Sequence, residues 1–153
     1  MAVSEDIYCL LIPLENERLV VPRSSVAEVI RYADPLGEGQ GDSWFRGKVS
    51  WNNQEIPLVS IERMAGMSPP EPAGKTRIVV FQPVTGGTGP YGLLAEGFPQ
   101  MLRLNREVME NDESYNPPAD SAVICRVQML QEQALIPDLE QIEQSLAELP
   151  DQA

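Results

Sequence analysis

Few residues in this 153-residue chain are of a kind that could do chemistry. Carboxylates are plentiful, 23 Asp and Glu, and a pair such as Glu28 and Glu55 supplies the groups that general acid–base catalysis needs. There is no histidine, which removes the usual general base near neutral pH, the Ser-His-Asp constellation and most zinc sites. The two thiols, Cys9 and Cys125, stand far apart and have no His to complete a metal-ligand pattern. Gly86, Gly87 and Gly89 do not form a phosphate loop, because no Gly-Lys-Ser/Thr follows and no helix opens there. The carboxylates therefore read as a solvated acidic face, and no catalytic residue, metal or cofactor is expected.

The charge excludes further classes. Eleven Lys and Arg against 23 acidic residues leave a net charge of −12, the opposite of the basic footprint that nucleic acids or anionic membranes require. Such a charge serves solubility, with a basic partner surface as the sharper alternative. Both cysteines lie inside apolar runs, where a thiol packs as a small hydrophobe. The opening Met1-Ala2-Val3-Ser4-Glu5-Asp6 is too polar for a signal peptide, and no apolar run reaches the ~18 residues of a membrane span. These features predict a cytoplasmic protein with reduced thiols and no direct membrane insertion.

The elements that would position any site are short. A chain of this length forms one domain or two small lobes and buries roughly 70% of its unfolded surface. Eleven Gly and fourteen Pro predict many turns. Ile7–Ile12 and Leu19–Val21 read as a strand pair around the turn Glu15-Asn16-Glu17, Ser24-Ser25 as one helical turn, and Val26–Tyr32 as extended. Pro35–Ser43 reads as a loop. Phe45–Ile61 reads as a hairpin turning at Asn52-Asn53, which tolerate positive φ. Pro57, unable to donate to a ladder, gives its second strand an edge-like side. Trp44 and Trp51 read as core or lobe-interface aromatics, Trp44 becoming a docking anchor if exposed. Residues 66–75 form a Pro-rich linker expected to divide two β lobes. Thr76–Phe81, Tyr91–Ala95 and Ala122–Leu130 read as strands, the last with Val123, Cys125, Val127 and Met129 on one face. Residues 107–120 read as a mobile loop. Leu139, Ile142, Leu146 and Leu149 recur at helical spacing, and Pro137 suits a first helical turn, so a C-terminal helix is expected over about 137–149.

Several segments, in this order, resemble the CheW family of chemosensory adaptors over about Ile7 to Leu146. Val26-Ala27-Glu28-Val29 is similar to the family's Val-x-Glu-Ile segment, and Gly47 to its Gly before the second motif. Pro57-Leu58-Val59-Ser60-Ile61 resembles Pro-Val-x-Asp-Leu, with Ser60 in place of the acid. Thr76-Arg77-Ile78-Val79-Val80 resembles the strand that opens the second lobe. Tyr91–Phe98 resembles Val-Gly-Leu-x-Val-Asp-x-Val, and Leu135–Leu139 the closing Leu-x-Asp-Leu. One departure stands out: Asn52-Asn53 occupies the slot of the family's Arg-Gly, and an amide does not replace a five-donor guanidinium. That departure suits an accessory member, similar to the extra CheW-like proteins of pilus-linked systems.

The resemblance implies a mainly β, CheW-like domain over residues 4–149: two small five-stranded SH3-like β-barrel lobes with a C-terminal α-helix. It implies a non-catalytic adaptor that couples the cytoplasmic tip of methyl-accepting chemoreceptors to the regulatory domain of a CheA-type histidine kinase, without cofactor or metal. It places partner contacts at Val26, Glu28 and Val29, with Thr76, Arg77 and Ile78 nearby, and at Gly47 and Asn52. Val26 and Val29 also fit as ordinary core residues, and Gly47 fits first as a turn or bulge that only Gly can make. Two rivals predict other things: a small-ligand-binding β-barrel needs an enclosed apolar cavity, and a catalytic barrel needs a carboxylate with a strongly raised pKa in a cleft.

Overall fold

A computed structural model of the chain describes residues 7–36, 44–68, 71–86, 88–105, 109–119, 121–129 and 132–149. The strands are β1 (Ile7–Pro13), β2 (Arg18–Pro22), β3 (Val26–Arg31), β4 (Phe45–Trp51), β5 (Gln54–Val59), β6 (Arg77–Phe81), β7 (Tyr91–Ala95), β8 (Gln100–Leu104), β9 (Met109–Asn111), β10 (Val123–Met129) and β11 (Glu132–Pro137). Two helices join them, the single turn α1 (Ile61–Met64) and the C-terminal α2 (Leu139–Ala147), and a 3-10 turn spans Arg23–Ser25. The strands form two sheets, in the orders β8-β1-β2-β11-β10-β9 and β3-β6-β7-β5-β4. The fold is mainly β with a C-terminal helix, as the sequence implies.

The first sheet has six strands rather than five, because β9 forms inside the segment expected to be a loop and pairs with β10. The Pro-rich linker does not separate the sheets: β6 and β7 follow it yet join the same sheet as β3, β4 and β5. The chain changes sheet instead at the 3-10 turn and between β7 and β8. The reason is non-local pairing: the two ends of the chain meet where β11 runs parallel to β2, Leu135 against Leu19. Of the expected loop Pro35–Ser43, residues 37–43 lie outside the described residues.

Local chemistry accounts for the turns. Asn52 (φ 51°) and Asn53 (φ 61°) take the left-handed conformation of a two-residue hairpin between β4 and β5. Pro57 pairs with Lys48 of β4, and β5 meets β7 only beyond it, at Leu58 and Val59. Ser60 caps α1, its Oγ accepting from the Arg63 N–H at 3.2 Å. Asp138 caps α2 by accepting from the Gln141 N–H at 3.1 Å. The helix begins two residues later than expected, because Pro137 ends β11 instead of opening the helix.

Three apolar clusters fill the interior. Leu19, Val59, Val79, Phe81, Tyr91, Leu93 and Ile142 belong to the largest, which receives strands of both sheets and α2. The Phe81 and Tyr91 rings stack in it with centroids 5.6 Å apart. Cys9, Leu11, Val127, Met129 and Ala134 pack inside the first sheet, with Cys125 at the margin; Val49, Ile56, Leu58, Ile78 and Val80 pack inside the second. A register shift between Val123 and Cys125 sends Val123 to the shared core and leaves Ile124 exposed, so the expected alternation holds only from Cys125 onward. Trp44 is half-buried against the shared core and Trp51 against the second.

Candidate functional site

The residues expected to contact partners fall at the two ends of the second sheet. Glu28, Val29, Ile30 and Arg31 of β3 pair with Val80, Val79, Ile78 and Arg77 of β6, and among the described strands β3 has no neighbour on its other side. Glu28 is exposed while Val26 and Val29 are half-buried, packing against the shared core. A register shift between Val26 and Glu28 bends the strand there. Core and partner-edge readings of the two valines therefore coexist in geometry: each has one side in the core and one at the surface.

The neighbours from β6 and from Thr76 just before it divide. Ile78 is wholly buried, and Thr76 is buried with its Oγ1 accepting from the Ala73 N–H at 2.9 Å. Neither side chain presents a surface; they support the strand. Arg77 is half-buried, and its Nη1 donates to the carbonyls of Gly74 at 2.7 Å and Thr76 at 3.0 Å. Its guanidinium lies over the exposed Phe98 ring, 5.1 Å from the centroid.

Gly47 and Asn52 belong to β4 and its hairpin at the opposite end of the strand order. Gly47 is buried with φ 104°, at a register shift between Phe45 and Lys48. That conformation is open to Gly and strained for other residues. Asn52 is exposed at the hairpin tip. The sheet curls to bring the ends toward one another: beyond β3, Leu36 forms an isolated bridge with Lys48, its N–H donating at 2.6 Å and its carbonyl accepting at 3.0 Å.

One end of the second sheet holds a cleft of about 550 Å³. Leu58 and Leu94 line it as apolar surface, and Pro72 and Ala73 of the linker form one wall. Its charged lining is Asp34, Glu71 and Glu96 with Arg46 and Arg63; Tyr32 lies beside Asp34. Burial, then the charge of Asp34 and a hydrogen bond to it, raises the Tyr32 phenol above its ordinary pKa. Burial also pushes the Glu96 carboxyl up; the Lys75 charge and the Thr76 hydroxyl oppose that shift, and the Glu15 charge adds to it. Glu96 Oε2 is shielded from solvent and has no hydrogen-bond partner among the described residues.

Glu62 stands close by at 4% exposure. Desolvation raises its pKa, a hydrogen bond from the Glu15 backbone opposes the shift, and the charges of Glu96 and Glu15 reinforce it. The acid–base pair that the sequence suggests, Glu28 and Glu55, is distinct from Glu62 and Glu96. Glu28 and Glu55 are exposed, on β3 and β5.

Glu143 is another buried carboxylate, and one that no motif of the sequence singles out. It is 1% exposed and accepts from the N–H groups of Val84 (2.7 Å) and Thr85 (2.8 Å), the Thr85 hydroxyl (2.6 Å) and the Tyr91 hydroxyl (3.4 Å). It thereby locks α2 onto the β6–β7 connection. A signal is present nonetheless: residues 139, 142, 143 and 146 share one helical face, so Glu143 lies within the apolar stripe. Burial, followed by the Glu143 charge and hydrogen bond, raises the Tyr91 phenol far above its ordinary pKa.

Two sheets share one core, the second closes through the Leu36–Lys48 bridge, α2 packs on that core, and β3 has no outer neighbour among the described strands. Residues 8–147 match the family model of the CheW-like domain, and the chain belongs to that family. A solved structure, that of the scaffolding protein TtCheW from Thermoanaerobacter tengcongensis, shares the fold with a TM-score of 0.71. The identity is 13%, over 90% of this chain and 87% of that one. No curated protein matches the sequence. Among the described residues, no group of His, Cys, Asp and Glu side chains is placed to hold a metal ion, and no helix is long and apolar enough to cross a membrane.

Proposed function

We propose that this chain is a chemosensory adaptor that works by docking rather than catalysis. In this reading it couples methyl-accepting chemoreceptors, through their cytoplasmic tips, to the regulatory domain of a CheA-type histidine kinase. It acts in the cytoplasm and is recruited to membrane-associated receptor arrays. The observation that carries the reading is the β3 edge, where the exposed Glu28 stands beside the half-buried Val26 and Val29. An apolar centre with a polar rim is the composition of a docking patch, and a standard patch buries about 800 Å² per side. Gly47 contributes through the backbone shape it permits, and Asn52 through its place at an exposed hairpin tip. Asn52-Asn53, where the family carries Arg-Gly, favours an accessory role such as one in a pilus-linked system.

The rival of a small-ligand barrel has less support. The interiors of both sheets are filled by side chains, and the cleft is lined by charged groups rather than enclosed by apolar ones.

The test is calorimetric titration of the folded protein with the regulatory domain of a CheA-type kinase from the same genome. Saturable micromolar binding is expected. Val26→Asp should weaken it at least tenfold (about 1.4 kcal/mol) by placing a charge in the apolar centre, and Glu28→Lys should weaken it less. Absence of binding, or binding indifferent to both substitutions, would remove the edge from the interface.

A further inference from the structure

We infer that Arg31 and Arg77, opposite each other at the end of the β3 edge, form a receptor for one carboxylate, an Asp or Glu side chain of the protein that docks on that edge. The occupant rests on the docking reading. The arginine pair does not.

Arg31 of β3 and Arg77 of β6 are register partners in an antiparallel pair. Their side chains therefore leave the same face of the sheet, with Cβ atoms roughly 5 Å apart. Like charges directly opposite destabilise a sheet, and an anion between them would relieve that cost. The chain does not supply one: neither arginine forms an ion pair among the described residues. Asp34, Glu71 and Glu96 line the cleft together with Tyr32 and Leu94, which pack against the interior of the second sheet. The arginines alternate with neither of those; they share a face with Val29 and Val79, which belong to the shared core, and neither lines the cleft. Glu28, three residues before Arg31 on the strand, falls on the other face. Lys75, exposed two residues before Arg77, adds positive charge, some of which reaches Glu96. Two of only eleven basic residues thus stand together without a counter-charge in a chain of net charge −12.

The pair is also pre-organised. Arg77 Nη1 is tied to the Gly74 and Thr76 carbonyls at 2.7 and 3.0 Å, and the guanidinium lies over the Phe98 ring, 5.1 Å from its centroid. Its Nε is sealed from solvent; its Nη2 is not, and makes no hydrogen bond among the described residues. A planar guanidinium presents its donors in a fork that suits a carboxylate, and fixing it beforehand lowers the cost of ordering it on binding. Arg31, exposed at the end of β3, supplies the second cation. Phe98, 65% exposed, offers apolar surface beside Arg77 for the stem of the incoming residue. The net charge of the chain opposes an acidic partner at long range, but that field is screened over about 8 Å at physiological ionic strength. A carboxylate in contact with two guanidiniums is governed by them.

The experiment is an amide NMR titration of the full chain with the peptide N-acetyl-Glu-Leu-Glu amide, and with the uncharged N-acetyl-Gln-Leu-Gln amide as control. Saturable millimolar binding of the acidic peptide is expected, with shifts centred on Arg31, Arg77 and Phe98. The uncharged peptide should bind at least tenfold more weakly. Arg31→Gln, at an exposed site, should lose at least tenfold for the acidic peptide. In calorimetry, Arg31→Glu should weaken binding of the kinase regulatory domain at least tenfold.

Equal affinity for the two peptides, acidic-peptide binding that survives Arg31→Gln, or no saturable shift would overturn the receptor. Because the peptide comparison uses the unaltered protein, its outcome does not depend on how any variant folds. Acidic-peptide binding combined with a kinase-domain affinity indifferent to Arg31→Glu would overturn the partner assignment. A kinase domain that binds while the acidic peptide does not leaves the docking reading standing and removes this one. A peptide that binds while the kinase domain does not leaves the arginine pair standing and removes its occupant.

Discussion

Glu143 and Glu62 are both carboxylates almost wholly removed from water, and they are held in opposite ways. Glu143 accepts from two backbone N–H groups and two hydroxyls, supplied by the β6–β7 connection and β7. Glu62 has one backbone donor, from Glu15, and faces the charges of Glu15 and Glu96. Burial alone says little about what a carboxylate does, because a desolvated charge stabilises a fold only where donors replace the lost water. The saturated site fastens α2 to the second sheet. Glu62, desolvated beside like charges, resists ionisation. Carboxylates buried to a similar depth thus differ in donor supply.

The largest test of that contrast is Glu143→Ala. It strands the Val84 and Thr85 N–H groups and removes the bond to Tyr91. Unpaired donors cost about 1–3 kcal/mol each when buried; Val84 and Thr85 are exposed residues whose bonds to Glu143 are partly buried, so a loss of about 2 kcal/mol in all is expected in denaturant unfolding. A loss below about 1 kcal/mol would mean that water replaces the carboxylate, and that the two sites do not differ in kind.

A smaller effect should follow from Thr85→Val, which keeps the shape and both backbone N–H bonds while deleting the hydroxyl donor at 2.6 Å. Hydrogen bonds to charged groups contribute about 1.5–3 kcal/mol when fully buried. Thr85 itself is exposed, so about 1 kcal/mol is the expected loss, again by denaturant midpoint. A loss equal to that of Glu143→Ala would show that the hydroxyl, not the backbone pair, holds α2.

What the sequence reveals here follows from the range of the interactions. The Asn52-Asn53 turn, the Gly47 bulge and the C-terminal helix are local, and each is legible from residue type. The β2–β11 pairing is not, because nothing near Leu19 names Leu135 as its neighbour. For that reason the linker looks like a lobe boundary in the sequence and is not one. At the candidate site, the β3 edge is legible through Val26, Glu28 and Val29. The burial of Thr76 and Ile78 is not, since a strand's alternation does not say which face another sheet covers. Nothing local marks the carboxylates at 62 and 96, because desolvation is a property of the assembled cleft, whereas Glu143 has a helical face to betray it.

The finest test is Glu62→Gln, expected to move stability in the opposite direction from the Glu143 change. Glu62 and Glu96 both have folded pKa values raised above the ordinary 4.5, chiefly by burial. The folded state therefore binds their protons more tightly than the unfolded chain does. Their contribution to stability is most favourable below the unfolded pKa and declines as pH rises from about there through the raised folded values. Once ionised, Glu62 is desolvated and faces the charges of Glu96 and Glu15, so a neutral amide that still accepts from the Glu15 backbone should stabilise the fold at pH values above the raised pKa, by under about 1 kcal/mol, within the ordinary range of single substitutions. Below about pH 4 the parent carboxyl is itself neutral, and the two proteins should converge. Melting temperatures of both proteins across about pH 3.5–7.5 would show a gap that opens with rising pH. A gap independent of pH would place the gain in packing, and a loss at pH 7 would mean that Glu62 is as well supplied with donors as Glu143.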